Sequence, residues 1–200
     1  MKKVLFLGMT IFLLSACMTT SQGVKDKEYY PQVFFDKNQA YSQLTEGRSV
    51  ITGVAYVSER SQLGMRVLLG NKHISSNEKV MLFPVNAYFD EWHRLRKAHP
   101  KARVYMSDEA YKYRLETITD GYGNFTFNNV KPGKYFLISQ ANWIESGIST
   151  TYDGYNAATN TEYYSQGYYS VDYSKSVEDF VEVKFDGEIV KMKLNGSFIE

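Results

Sequence analysis

The chain has 200 residues, with 23 Lys and Arg against 22 Asp and Glu and a formal net charge of +1, and no basic patch or stripe stands out, which argues against nucleic acid as a partner. A single cysteine excludes a disulfide framework, so the fold must hold by packing. The unusual feature of the composition is tyrosine, at 17 residues.

The first segment is an address rather than part of the fold. Lys2 and Lys3 precede an apolar run from Val4 to Leu14, followed by Leu14-Ser15-Ala16-Cys17, the charge, apolar and small-residue order of an export signal. The run is well short of the roughly 20 residues that a membrane-spanning helix needs. Leu14-Ser15-Ala16-Cys17 resembles the lipobox of bacterial lipoproteins, which implies residues 1–16 as a signal peptide and Cys17 as the lipidated first residue after cleavage. One acyl chain holds a protein only marginally, whereas several anchor it stably. A lipidated Cys17 is also unavailable as a nucleophile or metal ligand. Without Lys2 and Lys3 the formal charge becomes −1.

Residues 17–34 read as the lipidated N-terminus and a polar tether, and residues 35–200 as one domain large enough for a real core. Asp36 with Gln39 makes a capping box, Phe35 and Ala40 a staple, and Gly47 a stop, so a short helix is expected over 37–46. Ser49–Val57 is rich in β-branched residues and reads as the first strand. Two apolar runs follow, Met65–Leu69 and Val80–Val85, and the second is the better strand, with Pro84 where no N–H is needed. Across Asn86–His99 the period changes. Tyr88, Trp92, Leu95 and His99 form a helical stripe, with acids early and bases late, and Pro100 ends it, which reads as a helix or helical loop lying across one edge of a sheet. Tyr113–Thr119 reads as a strand.

The stretch 119–138 carries two turn signals. Gly121 and Gly123 open the way to Phe125 and Phe127 on one face, and Pro132-Gly133 fits a type II turn after which Tyr135–Ser139 returns antiparallel to the phenylalanine strand. At the C-terminus Val181, Val183 and Phe185 alternate with charges. Asp186-Gly187 suits a type I′ turn, and Val190, Met192 and Leu194 alternate again, giving a hairpin with Val183 facing Val190 and Val181 facing Met192. Short strands, recurring turns and one face apolar point to an all-β antiparallel sandwich of about seven strands with one or two short helices.

Ile51-Thr52-Gly53, Val80–Pro84, Thr119–Phe125, Val130–Tyr135 and the Asp186-Gly187 segment together resemble the carboxypeptidase regulatory-like domain over residues 49–195. That resemblance implies a transthyretin-like sandwich, a non-catalytic accessory or interaction role, and no active site to transfer. With the leader, the chain is similar to small bacterial lipoproteins built on this module. By the same resemblance, Met18 after the cysteine implies the outer membrane, facing the periplasm.

No catalytic or metal constellation is legible. His73, His93 and His99 are the only histidines, and no His-Glu-x-x-His occurs. Ser76-Asn77-Glu78-Lys79 lacks the companion motifs of penicillin-recognising enzymes. Asp120, Asn124 and Asn128 do not have calcium-loop spacing. No cofactor is implied. The feature that a sandwich does not demand is the insert after Trp143, where Tyr152, Tyr155, Tyr163, Tyr164, Tyr168, Tyr169 and Tyr173 crowd into a polar stretch. Such rings suit sugar stacking or protein contact, and equally an outer strand pair whose tyrosines pack across strands. With Tyr88, Trp92 and Trp143 they are the candidate binding surface. The expectation is a lipid-anchored, non-enzymatic envelope protein that acts by structure or protein contact. The alternative is a glycan- or peptide-binding module using residues 150–173. The expected partners are the membrane, through the lipid, and an envelope protein or glycan.

Overall fold

The computed structural model describes residues 27 to 199, apart from 62, 64, 66, 68 and 69. The leader, Cys17, the first part of the tether and most of the Met65–Leu69 run lie outside the described residues. The fold is all-β, a two-layer sandwich with three short helices among the described residues. One sheet is built on β2 (Ser49–Arg60), which pairs with β10 (Ile189–Ile199) on one side and with β3 (Lys72–Ile74) and β7 (Asn124–Val130) on the other. The second sheet is antiparallel throughout, in the order β6 (Leu115–Ile118), β4 (Lys79–Pro84), β8 (Gly133–Asn156), β9 (Thr161–Val183). Eight strands therefore make the two layers, close to the seven expected. Between the layers lie Ile51, Ala55, Val57, Val80, Leu82, Phe125, Phe127, Tyr135, Leu137, Val181, Val183 and Leu194, which is the alternating set that the sequence marks as apolar.

Both expected hairpins are replaced by crossings between the layers. β10 does not fold back on β9. It runs parallel to β2 from Ile189↔Val50 to Ile199↔Arg60, while β9 spends its pairing capacity on β8 as far as Gly133↔Val183. Asp186-Gly187 does form a tight turn, with Glu188 N–H donating to Phe185 O at 3.3 Å and Gly187 at φ +87°, but it brackets the start of β2 and closes no hairpin. The Asp186 carboxylate accepts from the Arg48 backbone N–H and Nε at 2.9 and 2.6 Å, and Gly187 N–H donates to Ser49 Oγ at 3.0 Å. Phe185, expected on the apolar face, falls in this crossing and is 62% exposed. Likewise β7 pairs with β2 and β8 with β4, so the phenylalanine strand and Tyr135–Ser139 sit in opposite sheets. Gly133 has φ +153°, far from the value near +80° of a type II turn. Alternation alone fixes which side of a strand is buried and leaves its neighbour unspecified, and each of these strands buries the expected side.

Helices close the ends and one outer face. Asp36 caps α1 (Lys37–Leu44) by accepting from the Asn38 and Gln39 N–H groups. Phe35 packs on Tyr88 and Tyr113. Asn86 caps α2 (Ala87–Ala98) through Phe89 N–H at 3.0 Å, and the helix lies on the outer face of the β4–β8 region. Phe89 meets Phe83 and Phe136 there, with Trp92 and Ile138 beside them, so the buried stripe is one residue wider than Tyr88, Trp92, Leu95 and His99. A one-turn helix, α3 (Asp108–Lys112), capped by Ser107, occupies the ground before β6, so the strand expected from Tyr113 starts at Leu115.

The tether is shorter than expected. β1 (Glu28–Tyr29) pairs in parallel with β5 (Arg103–Val104), Tyr29 stacks on His99 at 3.8 Å, and Gln32 and Val33 N–H groups both donate to Glu91 Oε2. Residues 28–33 are thus fastened to the body by groups that lie some 60 residues on and leave no local signature.

At the α1 end the fully buried Tyr135 hydroxyl donates to Lys131 O at 2.8 Å, with Gln43 O at 3.2 Å. Burial pushes its pKa up to about 12. The neutral phenol is therefore the folded form, and its contribution to stability is present below pH 10 and lost as pH rises through about 12. Ultraviolet difference titration should show a late step from one hydroxyl that ionises only as pH rises through about 12. Tyr135→Phe should remove that late step and cost about 1–2 kcal/mol in denaturant unfolding, since two carbonyls lose a donor.

Candidate binding surface

β8 and β9, of 24 and 23 residues, are far longer than the sandwich they belong to. β4 stops pairing with β8 at Met81↔Ile138, whereas β8 and β9 stay paired out to Asn156↔Thr161. Beyond Ala141, the last core residue of β8, the excess is a two-stranded arm, about 45–50 Å long for an antiparallel ribbon of this length. Its composition explains why it holds a strand conformation without a layer beneath it. Residues 142–174 hold seven Tyr and four Thr, and aromatic and β-branched side chains favour the extended backbone and pack across it. Tyr155 Oη to Asn160 Oδ1 at 2.6 Å, with Asn160 at φ +51°, closes the tip.

Paired residues share a side of the ribbon, which divides the arm into two faces. One continues the core side of β8. It begins with Trp143, stacked on Tyr173 at 5.4 Å and on His73 at 4.3 Å, tilted against Phe198, its indole N–H donating to Glu145 Oε1 at 2.9 Å. Glu145 and Val171 come next, then Gly147 under Tyr169, where a β-carbon would lie 2.5 Å from the phenol oxygen. The other face continues the side that carries α2 and bears Ile144, Ile148, Tyr152, Tyr164, Tyr168 and Asp172. Only Tyr152 and Tyr164 of the tyrosine set pack edge to face, at 5.5 Å, and Tyr168 is 89% exposed. Tyr164 donates to Glu162 at 2.6 Å, and that bond to a carboxylate raises its pKa. The insert is therefore a strand pair in which Tyr152, Tyr164, Tyr169 and Tyr173 make cross-strand contacts, while Tyr155, Tyr163 and Tyr168 stand outside them and even the packed rings stay at least 41% exposed.

The expected site divides. Tyr152, Tyr155, Tyr163, Tyr164, Tyr168, Tyr169 and Tyr173 lie on the arm, with Trp143 anchoring its base. Tyr88 and Trp92 are not part of that surface. Tyr88 is 6% exposed, facing inward from α2 with its hydroxyl accepting from Ser107 N–H at 2.7 Å. Trp92 is half-buried between Phe89, Phe136 and the guanidinium of Arg96, and its indole N–H has no partner among the described residues. Both belong to the packing of α2 on the sheet. Ile144 and Ile148, which complete the outward face of the arm, carry no signal in the sequence beyond alternation.

Two other surfaces emerge only in three dimensions. A cleft of about 430 Å³ at the C-terminal end of α2 is lined by His93, Arg96, Lys97, His99 and Glu178, with Arg96 paired to Glu178 at 2.9 Å. Burial, then Lys97, holds His93 below the ordinary histidine pKa. On the far side of the molecule, the outer face of the β2 sheet gathers Arg60, Lys72 and Lys193 around Tyr56, Ser58 and Asn195, with Lys72 over the Tyr56 ring at 5.4 Å. Among the described residues no group of three or more His, Cys, Asp and Glu could hold a metal ion, and no helix is long and apolar enough to cross a membrane.

No protein-family model matches the chain, and no curated protein matches it either. Its fold is similar to the crystal structure of a candidate carbohydrate-binding protein from Pseudomonas aeruginosa, with a TM-score of 0.53 and 20% identity over 82% of this chain and 99% of that one. Likeness at that identity establishes the shared fold.

Proposed function

We propose that the chain is a lipid-anchored, non-enzymatic envelope protein, held at Cys17 in the outer membrane, whose sandwich is a rigid mount for a protein-contact arm. The carboxypeptidase regulatory-like resemblance belongs to the same reading. The observation that carries it is the arm itself. A ribbon bare on both faces, with Tyr168, Ile144 and Ile148 in solvent, adds nothing to the core, and exposed apolar surface of this extent marks a contact site. Tyrosine suits that work, because a rigid ring with a polar tip supplies contact area at low entropic cost.

A photo-cross-linking residue in place of Tyr168, in intact cells producing the full chain, should capture protein, while the same residue in place of Phe185 on the sheet crossing should capture little. Equal yields at the two positions would sink the arm as the contact surface. Mass spectrometry of the exported protein should find Cys17 acylated, and a free thiol there would remove the anchor.

A second reading is glycan binding by the same rings, supported by the open Tyr168 face and consistent with the description of the Pseudomonas protein. It requires Trp143 fluorescence to shift on titration with peptidoglycan fragments, since that ring stacks directly on Tyr173 of the arm.

A further inference from the structure

Charge identifies what the arm meets. From Asn142 to Ser174 the sequence holds Glu145, Asp153, Glu162 and Asp172 and no lysine or arginine at all. The arm therefore carries four negative charges on a scaffold of tyrosine and isoleucine. The outer face of the β2 sheet is its complement. The residues pointing outward there include Arg60 on β2, Lys72 on β3, and Lys191 and Lys193 on β10, whereas no outward position of β2, β3, β7 or β10 is an aspartate or glutamate. Tyr56 and the aliphatic part of Lys72 give that face an apolar floor between its charges.

We infer that the arm docks on the outer face of the β2 sheet of a second copy of this chain, an inference that rests on reading the arm as a protein-contact surface. Charge of one sign repels an arm from another arm, which disfavours edge-to-edge pairing of the two ribbons and leaves the basic face as the complementary surface on the same molecule. The area is sufficient. A ribbon about 45 Å long and about 10 Å wide offers about 450 Å² on one face. In a two-fold dimer each chain gives one arm and receives one, so about 900 Å² per partner comes together, close to the ~800 Å² of a standard interface. Exposed ion pairs contribute little singly, so the charges choose partner and register while the buried rings hold the complex.

The test is cross-linking from Tyr168 in intact cells producing the full chain, with charge reversal. The expected product has twice the chain mass, contains this protein alone, and joins the arm to peptides holding Tyr56, Lys72 or Lys193. Glu162→Lys with Asp172→Lys should lower its yield at least about tenfold, and so should Lys72→Glu with Lys193→Glu. Because all four positions are exposed, each variant should keep its unfolding midpoint. Combining the reversals, or mixing the two reversed chains in one cell, should restore the product. In detergent the purified dimer should dissociate as salt rises from about 50 to about 500 mM, when exposed charges are screened. Capture of a different protein would overturn the second-copy assignment and leave the contact arm standing. Capture of lipid or glycan alone, with a Trp143 shift on glycan, would overturn both. A dimer that ignores the reversals would overturn the arm-to-face docking.

Discussion

Phe136→Ala should lower the unfolding free energy by about 3–5 kcal/mol, the range for a large aromatic deleted from a packed interior. Phe136 is fully buried on the outer side of β8 and touches Phe89, Trp92, His93 and Phe180, with ring centroids 5.1 to 6.0 Å apart. It is thus the shared contact that fastens α2 to the sheet, and neither helix nor strand can move to fill the space without losing other contacts. For a chain of this size such a loss corresponds to a fall in Tm of about 6–20 °C. Ile148→Ala on the arm, removing a side chain of similar apolarity from an exposed position, should change stability by no more than about 0.5 kcal/mol. Urea unfolding followed by tryptophan fluorescence distinguishes the two directly, because Trp92 reports the α2 contact. Equal, small effects at both positions would mean that α2 is only loosely attached and that the sandwich folds without it.

The contrast between those two sites marks where the sequence is legible. Alternation placed Val181, Val183, Phe125 and Phe127 on their buried sides, because the period of a strand is a local property. The helix over Asn86–His99 was legible for the same reason, since its stripe, its order of acids and bases and the terminating Pro100 are all near one another, whereas its seat on the outer face of the sheet rather than across an edge was not. Which strand pairs with which was not legible. The parallel register of β10 on β2 depends on β9 being committed to β8, and on Asp186 finding Arg48 across 138 residues. Tyr88 was misread as surface because a phenol at a helix N-terminus looks the same in sequence whether its hydroxyl meets water or the Ser107 N–H. The tyrosine insert was visible as composition, but its shape was not, because nothing local says that β4 ends at Pro84 while β8 and β9 continue. The basic face was visible only as Lys191 and Lys193 opposite an apolar side. Arg60 and Lys72 join them through pairings that only the fold creates.

Gly123→Ala should cost about 2–5 kcal/mol, although it adds a single methyl group on a loop. Two penalties combine. Gly123 has φ +78°, where a β-carbon costs about 1–2 kcal/mol. The β-carbon would also stand 2.6 Å from Ala55 O and 2.8 Å from Ile74 Cγ2, an overpacking worth about 1–3 kcal/mol because the first of those atoms is backbone in a central strand. The loop cannot simply lift, since Gly123 O accepts from Ala55 N–H at 2.9 Å and Gly123 N–H donates to Asp120 O at 3.0 Å. Gly121→Ala is the control, because a β-carbon there meets nothing within 4 Å, and it should be close to neutral. A second readout separates loop distortion from general loss of stability. The Asp120 carboxylate is held below its ordinary pKa by the Asn124 side chain and then by the Asn124 and Tyr122 N–H groups. Its contribution to stability is therefore present above the unfolded pKa and lost as pH falls through the depressed one. If the added methyl group pushes the loop off β2, those bonds loosen and the Asp120 pKa should rise toward normal in an NMR titration, while in Gly121→Ala it should stay depressed. An unchanged Asp120 pKa together with full stability in Gly123→Ala would show that the loop accommodates a side chain. The close approach to Ala55 would then not be what makes glycine necessary.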